Sequence, residues 1–342
     1  MTDRPLYQYR VPGLFVPHLE AFVLRHGGDV DALYAAAGLR RDAFIPQEHT
    51  LDEGQFYALV DAARRAAQTP AFGLEIGQQF NLGSFGLFSR ALMSCATLRD
   101  FVVMLERYSV LVLPMVRFSS HDTAAHFVLE VNALSRYPDL NQLIFEAMIS
   151  FASKIDVLLL GRPIGVDKVS CQFEAPPYAP MLEEQSRATF EFGAPQNRIY
   201  LKRQHAELPL ATANPTDARV TMAECEEALI KSQLTQSLVD EVLDLIRYYL
   251  DTNPSSAQIA QRLNMTDRTF RRRLASEGES YRHLLQGVRR EMAEYYLAQT
   301  QLQVAQIAEK LGYAETSNFR AAFKTWTGLS PRAWRLGQAP SN

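Results

Sequence analysis

Residues 259–278 read IAQRLNMTDRTFRRRLASEG. Ile259, Ala260 and Leu263 are spaced to line one face of a short helix, with Ser255 or Ser256 as its cap. Asn264-Met265 makes a turn, and Thr266 is a good N-cap for a second helix. That helix turns Phe270 and Leu274 inward, four residues apart, and Gly278 ends it. Ala260 is small enough for the two helices to pack closely. The layout is a helix-turn-helix.

A second copy follows. Residues 307–328 read IAEKLGYAETSNFRAAFKTWTG, so Ile307, Ala308 and Leu311 repeat the earlier spacing. Gly312-Tyr313 turns, Glu315 to Trp326 forms the next helix, and Phe319 and Phe323 face inward. Gly328 ends the unit and Pro331 follows. Between the copies, SYRHLLQGVRREMAEYYLAQT predicts one helix of about 18 residues, roughly 27 Å long. Successive major-groove faces of DNA recur about 34 Å apart. A rigid helix of that length can set two recognition helices into adjacent segments of the groove.

The 342-residue chain has formal net charge −3, unevenly spread. From Ser255 onward 13 Lys and Arg face 7 Asp and Glu, a balance of +6, and residues 1–254 carry −9. This asymmetry points to a polyanion-binding C-terminal domain joined to a part with another task, although +6 over 88 residues is also ordinary surface. The length favours two domains, and 47% hydrophobic residues exclude disorder. Three scattered cysteines, Cys95, Cys171 and Cys225, exclude a disulfide framework or a Cys-rich zinc module. No signal-peptide core opens the chain and no membrane-length apolar run interrupts it, so a cytoplasmic protein off the membrane is expected.

Upstream, the first 70 residues read as helices: LEAFVLRHGG, then DVDALYAAAGL with an Asp cap, then TLDEGQFYALVDAARRAA with Thr50 as cap and Glu53 three residues on. Residues 72–205 mix strands (AAHFVLEV, DKVSCQFEA) with helices, the longest being YPDLNQLIFEAMISFASKIDVLLLG, closed by Gly161. The fold expected is an α+β N-terminal domain over 1–205. A linker and helical connection spans 206–235, and an all-α domain with two helix-turn-helix units joined by a long helix occupies 236–342.

Taken together, the two units, the connecting VRREMAEYYL and the terminal SPRAWR resemble the AraC/XylS family of bacterial transcription regulators. Upstream, YRVPGL, AAGL, FGLEIG, SFGLFSRALMSCATLRD and FGAPQNRIYL resemble, in order, the arabinose-binding-like regulatory domain of that family's long-chain branch. These motifs are mostly glycine and apolar residues, so they speak of fold and not of a sugar. The resemblance implies double-stranded DNA as partner, a small-molecule effector, RNA polymerase if the protein is an activator, and a homodimer with the long helix at 137–160 as one candidate surface.

On the first recognition helix Arg268, Arg271 and Arg272 share a face, and by resemblance they and Thr269 point to the groove. Arginine holds guanine O6 and N7 with two bonds. The alternative is that one or more is a solvated or phosphate-only charge. Thr266, Arg273 and Arg332 are phosphate candidates, with an acidic neighbour as the alternative for Arg273. Arg289, Arg290 and Arg335 can also reach phosphate, the competing reading for Arg289 being an ion pair with Glu291 or Glu294 that the spacing disfavours. The second recognition helix departs from the family: Ala321 stands where arginine is usual, and Arg320 precedes it. Thr316, Ser317, Asn318, Arg320 and Lys324 are its groove candidates, reading bases or mainly positioning the protein.

No phosphate-binding glycine loop or nucleophile elbow occurs, and His121 and His126 are poorly spaced for a metal, so neither enzyme, metal site nor cofactor is expected. Cys95 or Cys225 has no neighbour to stabilise a thiolate as a redox sensor. Phe85, Phe88 and Arg90 in GSFGLFSRALM suggest an apolar or amphipathic effector, with plain core as the alternative for the two phenylalanines. The function expected is an effector-controlled, sequence-specific transcription regulator. The alternative is a DNA-binding regulator without an effector, controlled by abundance or a protein partner.

Overall fold

Two short antiparallel strands bracket the first helices: β1 (Arg10–Pro12) pairs with β2 (Thr50–Asp52) across α1 (Val16–Arg25) and α2 (Val30–Ala36). The structure is a computed structural model that describes residues 9–233 and 237–338, and these form two compact units. Asp29 caps α2 by accepting from the Asp31 amide at 2.8 Å. For α3 (Glu53–Ala67) the cap is Asp52, not Thr50. The Asp52 carboxylate accepts from the Gln55 amide at 2.8 Å, and the Gln55 side chain accepts from the Asp52 amide at 3.0 Å. Thr50 is taken by the pairing with Pro12. Glu53 is thereby released to a buried site where it accepts from the Ser135 hydroxyl at 2.6 Å and the Arg136 amide at 2.8 Å.

The first unit continues through α4 (Phe72–Gln79), α5 (Gly86–Met93) and α6 (Leu98–Tyr108) into a five-stranded sheet. Its strands are β3 (Val116–Asp122), β4 (His126–Ala133), β5 (Lys168–Ser170), β6 (Thr189–Glu191) and β7 (Arg198–Lys202), in the order β3-β4-β7-β5-β6. Only β5-β6 is parallel. The long helix α7 (Pro138–Leu160) starts at a proline, where the lost N–H costs nothing, and stops at Gly161 in the left-handed region, φ +67°. It is the axis of the unit, with Phe145, Ile149 and Leu159 fully buried, so most of this expected dimer surface already has a partner inside the chain.

That partner is α4. Gly73 and Gly77, one helical turn apart, let the two backbones touch: a Cβ at Gly77 would lie 2.4 Å from the Ala147 carbonyl oxygen. The glycines of FGLEIG therefore record a helix crossing. Beyond α8 (Ala179–Ser186), α9 (Pro215–Gln233) belongs to the first compact unit and packs on α5 and α6 through buried Thr221, Cys225 and Leu229. Most of the stretch read as linker and connection is thus a packed helix.

The second unit is all helical, with α10 (Leu238–Tyr248), α11 (Ser256–Arg262), α12 (Asp267–Ser276), α13 (Tyr281–Gln299), α14 (Val304–Lys310), α15 (Thr316–Thr327) and α16 (Pro331–Gln338). Ser237, Ser255, Thr266 and Ser280 cap α10 to α13 with side-chain oxygens. Phe270, Leu274, Phe319 and Phe323 meet Ile259, Ile307, Leu284 and Val288 in one core. At 19 residues α13 spans about 28 Å. Among the described residues no helix is long and apolar enough to cross a membrane.

Candidate nucleic-acid interface and effector cavity

Two helix-turn-helix units stand in the second unit as the sequence spacing requires. In α12 the buried Phe270 and Leu274 fix the rotation of the helix, and Arg268, Arg271 and Arg272 are all exposed on the other side. Arg268 and Arg272 make no hydrogen bond or ion pair among the described residues. Arg271 is tethered: its Nε lies 2.9 Å from Asp267 Oδ2. The Ser256 hydroxyl donates to the other oxygen of Asp267 at 2.5 Å. Ser256 and then Arg271 hold the Asp267 carboxyl below its ordinary pKa. This serine was invisible as a site residue in the sequence; its role comes from the meeting of two helix starts.

Arg273 points elsewhere, with Nη1 3.8 Å from Met265 Sδ and the Glu241 carboxyl near enough to feel its charge. Thr266 caps α12, accepting from the Thr269 amide at 3.2 Å, and its hydroxyl lies 2.9 Å from that of Thr269. On α15, Ser317, Asn318, Arg320 and Lys324 are exposed and Thr316 is half-buried. Phe319 and Phe323 match Phe270 and Leu274 as inward positions. Counted from these anchors, Arg320 stands in the place of Arg271 and Ala321 in the place of Arg272.

The arginines beyond the recognition helices divide sharply. Arg332 is exposed at the start of α16. Arg335 instead donates to the carbonyls of Leu297 at 3.2 Å and Leu302 at 2.8 Å, tying down the end of α13. Arg289 turns inward onto backbone carbonyls, and Arg290 pairs with Glu294 at 2.8 Å. The phosphate candidates Arg289 and Arg335 are therefore occupied by the protein itself, because helix ends leave carbonyls that a guanidinium can satisfy.

In the first unit a cavity of about 200 Å³ lies among α3 to α7 and the sheet. Period-two alternation puts Leu129 and Val131 of β4 on one face; Val131 stands opposite Phe118 of β3, and Leu129 opposite Ile199 of β7. All four line the cavity. So do Phe85, Phe88 and Leu92 of the α5 region and Ile144, Met148 and Phe151 of α7. Ser89 and Ser109 are its polar lining residues, and the Ser89 hydroxyl already accepts from the Phe85 amide at 3.0 Å. Arg90 is not there: it is on the other face of α5, paired with Asp217 of α9 at 2.6 Å. The sequence reading thus finds the two phenylalanines on the wall and its one charged candidate outside.

His121 and His126 sit on adjacent strands, and His126 Nε2 lies 2.8 Å from Asp167. Burial pushes the thiols of Cys95 and Cys171 up to about 12, the reverse of an activated thiolate.

Comparison with known proteins adds the following. A family model described as the arabinose-binding domain of AraC transcription regulators, N-terminal, matches residues 27–210, and a helix-turn-helix domain model matches 259–337. The ornithine utilization regulator of Pseudomonas aeruginosa is 29% identical over 329 residues, covering 95% of this chain and 96% of that protein. An HTH-type transcriptional regulator of Mycobacterium bovis is 30% identical over 271 residues, 78% of this chain and 79% of the relative. The crystal structure of the transcriptional regulator CdpR from Pseudomonas aeruginosa aligns with 94% of this chain and 98% of its own at 22% identity and TM-score 0.48. These relatives are named as regulators and not as enzymes, the Mycobacterium bovis protein as a transcriptional regulator.

Proposed function

This chain belongs to the AraC family of DNA-binding transcription regulators, with an arabinose-binding-type N-terminal domain, and we propose that its activity is set by an apolar small molecule held in the cavity of the first unit. In this reading residues 1–205 are the regulatory part and 236–342 the DNA-binding part. Arg268 and Arg272 read bases, joined by Arg271, Thr269 and a weaker set on α15: Thr316, Ser317, Asn318, Arg320 and Lys324. Thr266, Arg273 and Arg332 serve phosphate. A homodimer, and RNA polymerase as partner of an activator, complete the reading.

The observation that carries it is the lining of the cavity. A pentose or an amino acid buried there would leave hydroxyls or charges without partners, each at a cost of roughly 2–7 kcal/mol or more. A hydrocarbon chain or aromatic ring of matching size replaces empty space by contact. The names of the family model and of the ornithine regulator are therefore poor guides to the ligand of this chain. Coupling has a physical route: one face of α5 lines the cavity and the other holds α9 through Arg90–Asp217, and the Thr212 hydroxyl donates to the carbonyl of Met93, the last residue of α5, at 2.6 Å. An effector acts only if it binds two arrangements of these helices with different affinity.

Thermal unfolding against a panel of apolar and amphipathic compounds tests the reading. A fitting ligand at a hundred times its Kd adds about 2.7 kcal/mol, a rise of roughly 5–10 °C for a domain of this size. Ala152→Phe, on the cavity wall, should abolish the rise. If arabinose or ornithine stabilises the protein and no apolar compound does, the proposed ligand class is wrong. If nothing stabilises it, regulation without an effector takes its place.

A further inference from the structure

The connecting helix α13 touches both helix-turn-helix units through one side chain. Arg289 lies near its middle. Its Nε donates to the Leu311 carbonyl at 2.9 Å, and its Nη2 donates to the Gly312 carbonyl at 3.1 Å and to Asn253 Oδ1 at 2.8 Å. The guanidinium carbon sits 4.4 Å from the centre of the Tyr313 ring. Leu311 to Tyr313 form the turn between α14 and α15, inside the second unit. Asn253, in the left-handed region at φ +50°, lies two residues before Ser255, which caps α11, the first helix of the first helix-turn-helix.

Gly312 marks the same junction from the other side. It is left-handed at φ +72°, and a Cβ there would lie 2.3 Å from the Leu250 carbonyl and 3.0 Å from the Asn253 amide. The turn of the second helix-turn-helix thus rests on the backbone that leads into the first. All three acceptors of Arg289 are neutral oxygens. Two are carbonyls just past the C-terminal end of α14, the end where a helix favours a cation. The planar fork spans three segments that a lysine's single point charge would not hold together.

We propose that Arg289 is a positioning residue for DNA recognition: it sets the spacing and phase of the two recognition helices without touching DNA itself. The inference rests on the reading that α12 and α15 both engage DNA. An inserted base pair rotates and shifts one groove segment against the other, so only a rigid pair of units resists it strongly.

The experiment uses the full chain. An operator is selected from randomised duplex DNA with the wild-type protein, the two contacted segments are located by footprinting, and affinity is measured for that operator and for one with a base pair inserted between the segments. The wild type should lose at least about 30-fold on insertion, a little over 2 kcal/mol. Arg289→Met should bind the selected operator at least about tenfold more weakly, yet lose less than about threefold further on insertion. Gly312→Ala, at the same junction, should flatten the penalty likewise. If Arg289→Met weakens both operators by one factor and keeps the wild-type insertion penalty, Arg289 serves only stability and the inference fails. If the wild type itself shows no insertion penalty, the two-unit reading beneath it fails as well. Circular dichroism checks folding; should Arg289→Met not fold, Arg289→Lys keeps the charge, loses the fork, and decides by the same ratio.

Discussion

The helices α12 and α15 occupy equivalent places in two repeats of one motif, yet they present different chemistry. Their inner faces agree: Phe270 and Leu274 in one, Phe319 and Phe323 in the other, all fully buried. Their outer faces do not. Where α12 carries Arg268, Arg271 and Arg272, α15 carries Ser317, Arg320 and Ala321. Their starts differ too. Thr266 bonds the first turn of α12, whereas Glu315 gives α15 no side-chain cap, and the turn before α15 is one residue longer when counted from Leu263 and Leu311. The scaffold is shared because the core is shared; each exposed face is free to serve its own stretch of DNA.

The largest effects should ignore this difference. Phe270→Ala and Phe323→Ala each empty a fully packed site, and each should cost about 3–5 kcal/mol in denaturant unfolding of the second unit. A loss in only one of them would mean that the two halves do not share a single core.

On the outer faces the helices should part. Arg272→Ala should remove about 1–3 kcal/mol of discrimination at particular base pairs, whereas the phosphate candidate Arg332→Ala should weaken all sequences alike and lower the salt slope by about one. Asn318→Ala on α15 should fall below Arg272→Ala in discrimination. Binding measured across a panel of operator variants at two salt concentrations separates these cases. Equal and uniform losses from Arg272→Ala and Arg332→Ala would erase the division between reading and positioning.

The smallest effects belong to the caps. Thr266→Ala should cost about 1 kcal/mol, and Glu315→Ser should add roughly half that to the second unit. Chemical denaturation resolves both. A gain from Glu315→Ser as large as the loss from Thr266→Ala would show that the longer turn places no limit on the cap.

Local signals carried the second unit. Its caps, inward pairs and glycine stops sit within a few residues of one another, so period and turn chemistry can be read in line. The first unit was less legible for the same reason. Thr50 looks like a cap until β1, some 40 residues earlier, claims it as a strand residue. Arg90 looks like the polar contact of an amphipathic effector until Asp217, more than a hundred residues later, takes it. Phe85 and Phe88 could be core or wall, and only the gap left by the surrounding helices and sheet distinguishes the two.

By itself, then, the sequence determined the two helix-turn-helix units, the helix between them and the basic face of α12, since each depends on spacing within about one helix length. Tertiary structure alone decided which of the remaining arginines turn inward. Arg289 and Arg335 are helical arginines like Arg268 and Arg272, yet they turn inward because distant helix ends bring carbonyls within reach. A charge is committed by the partner that arrives, and which partner arrives is a property of the fold.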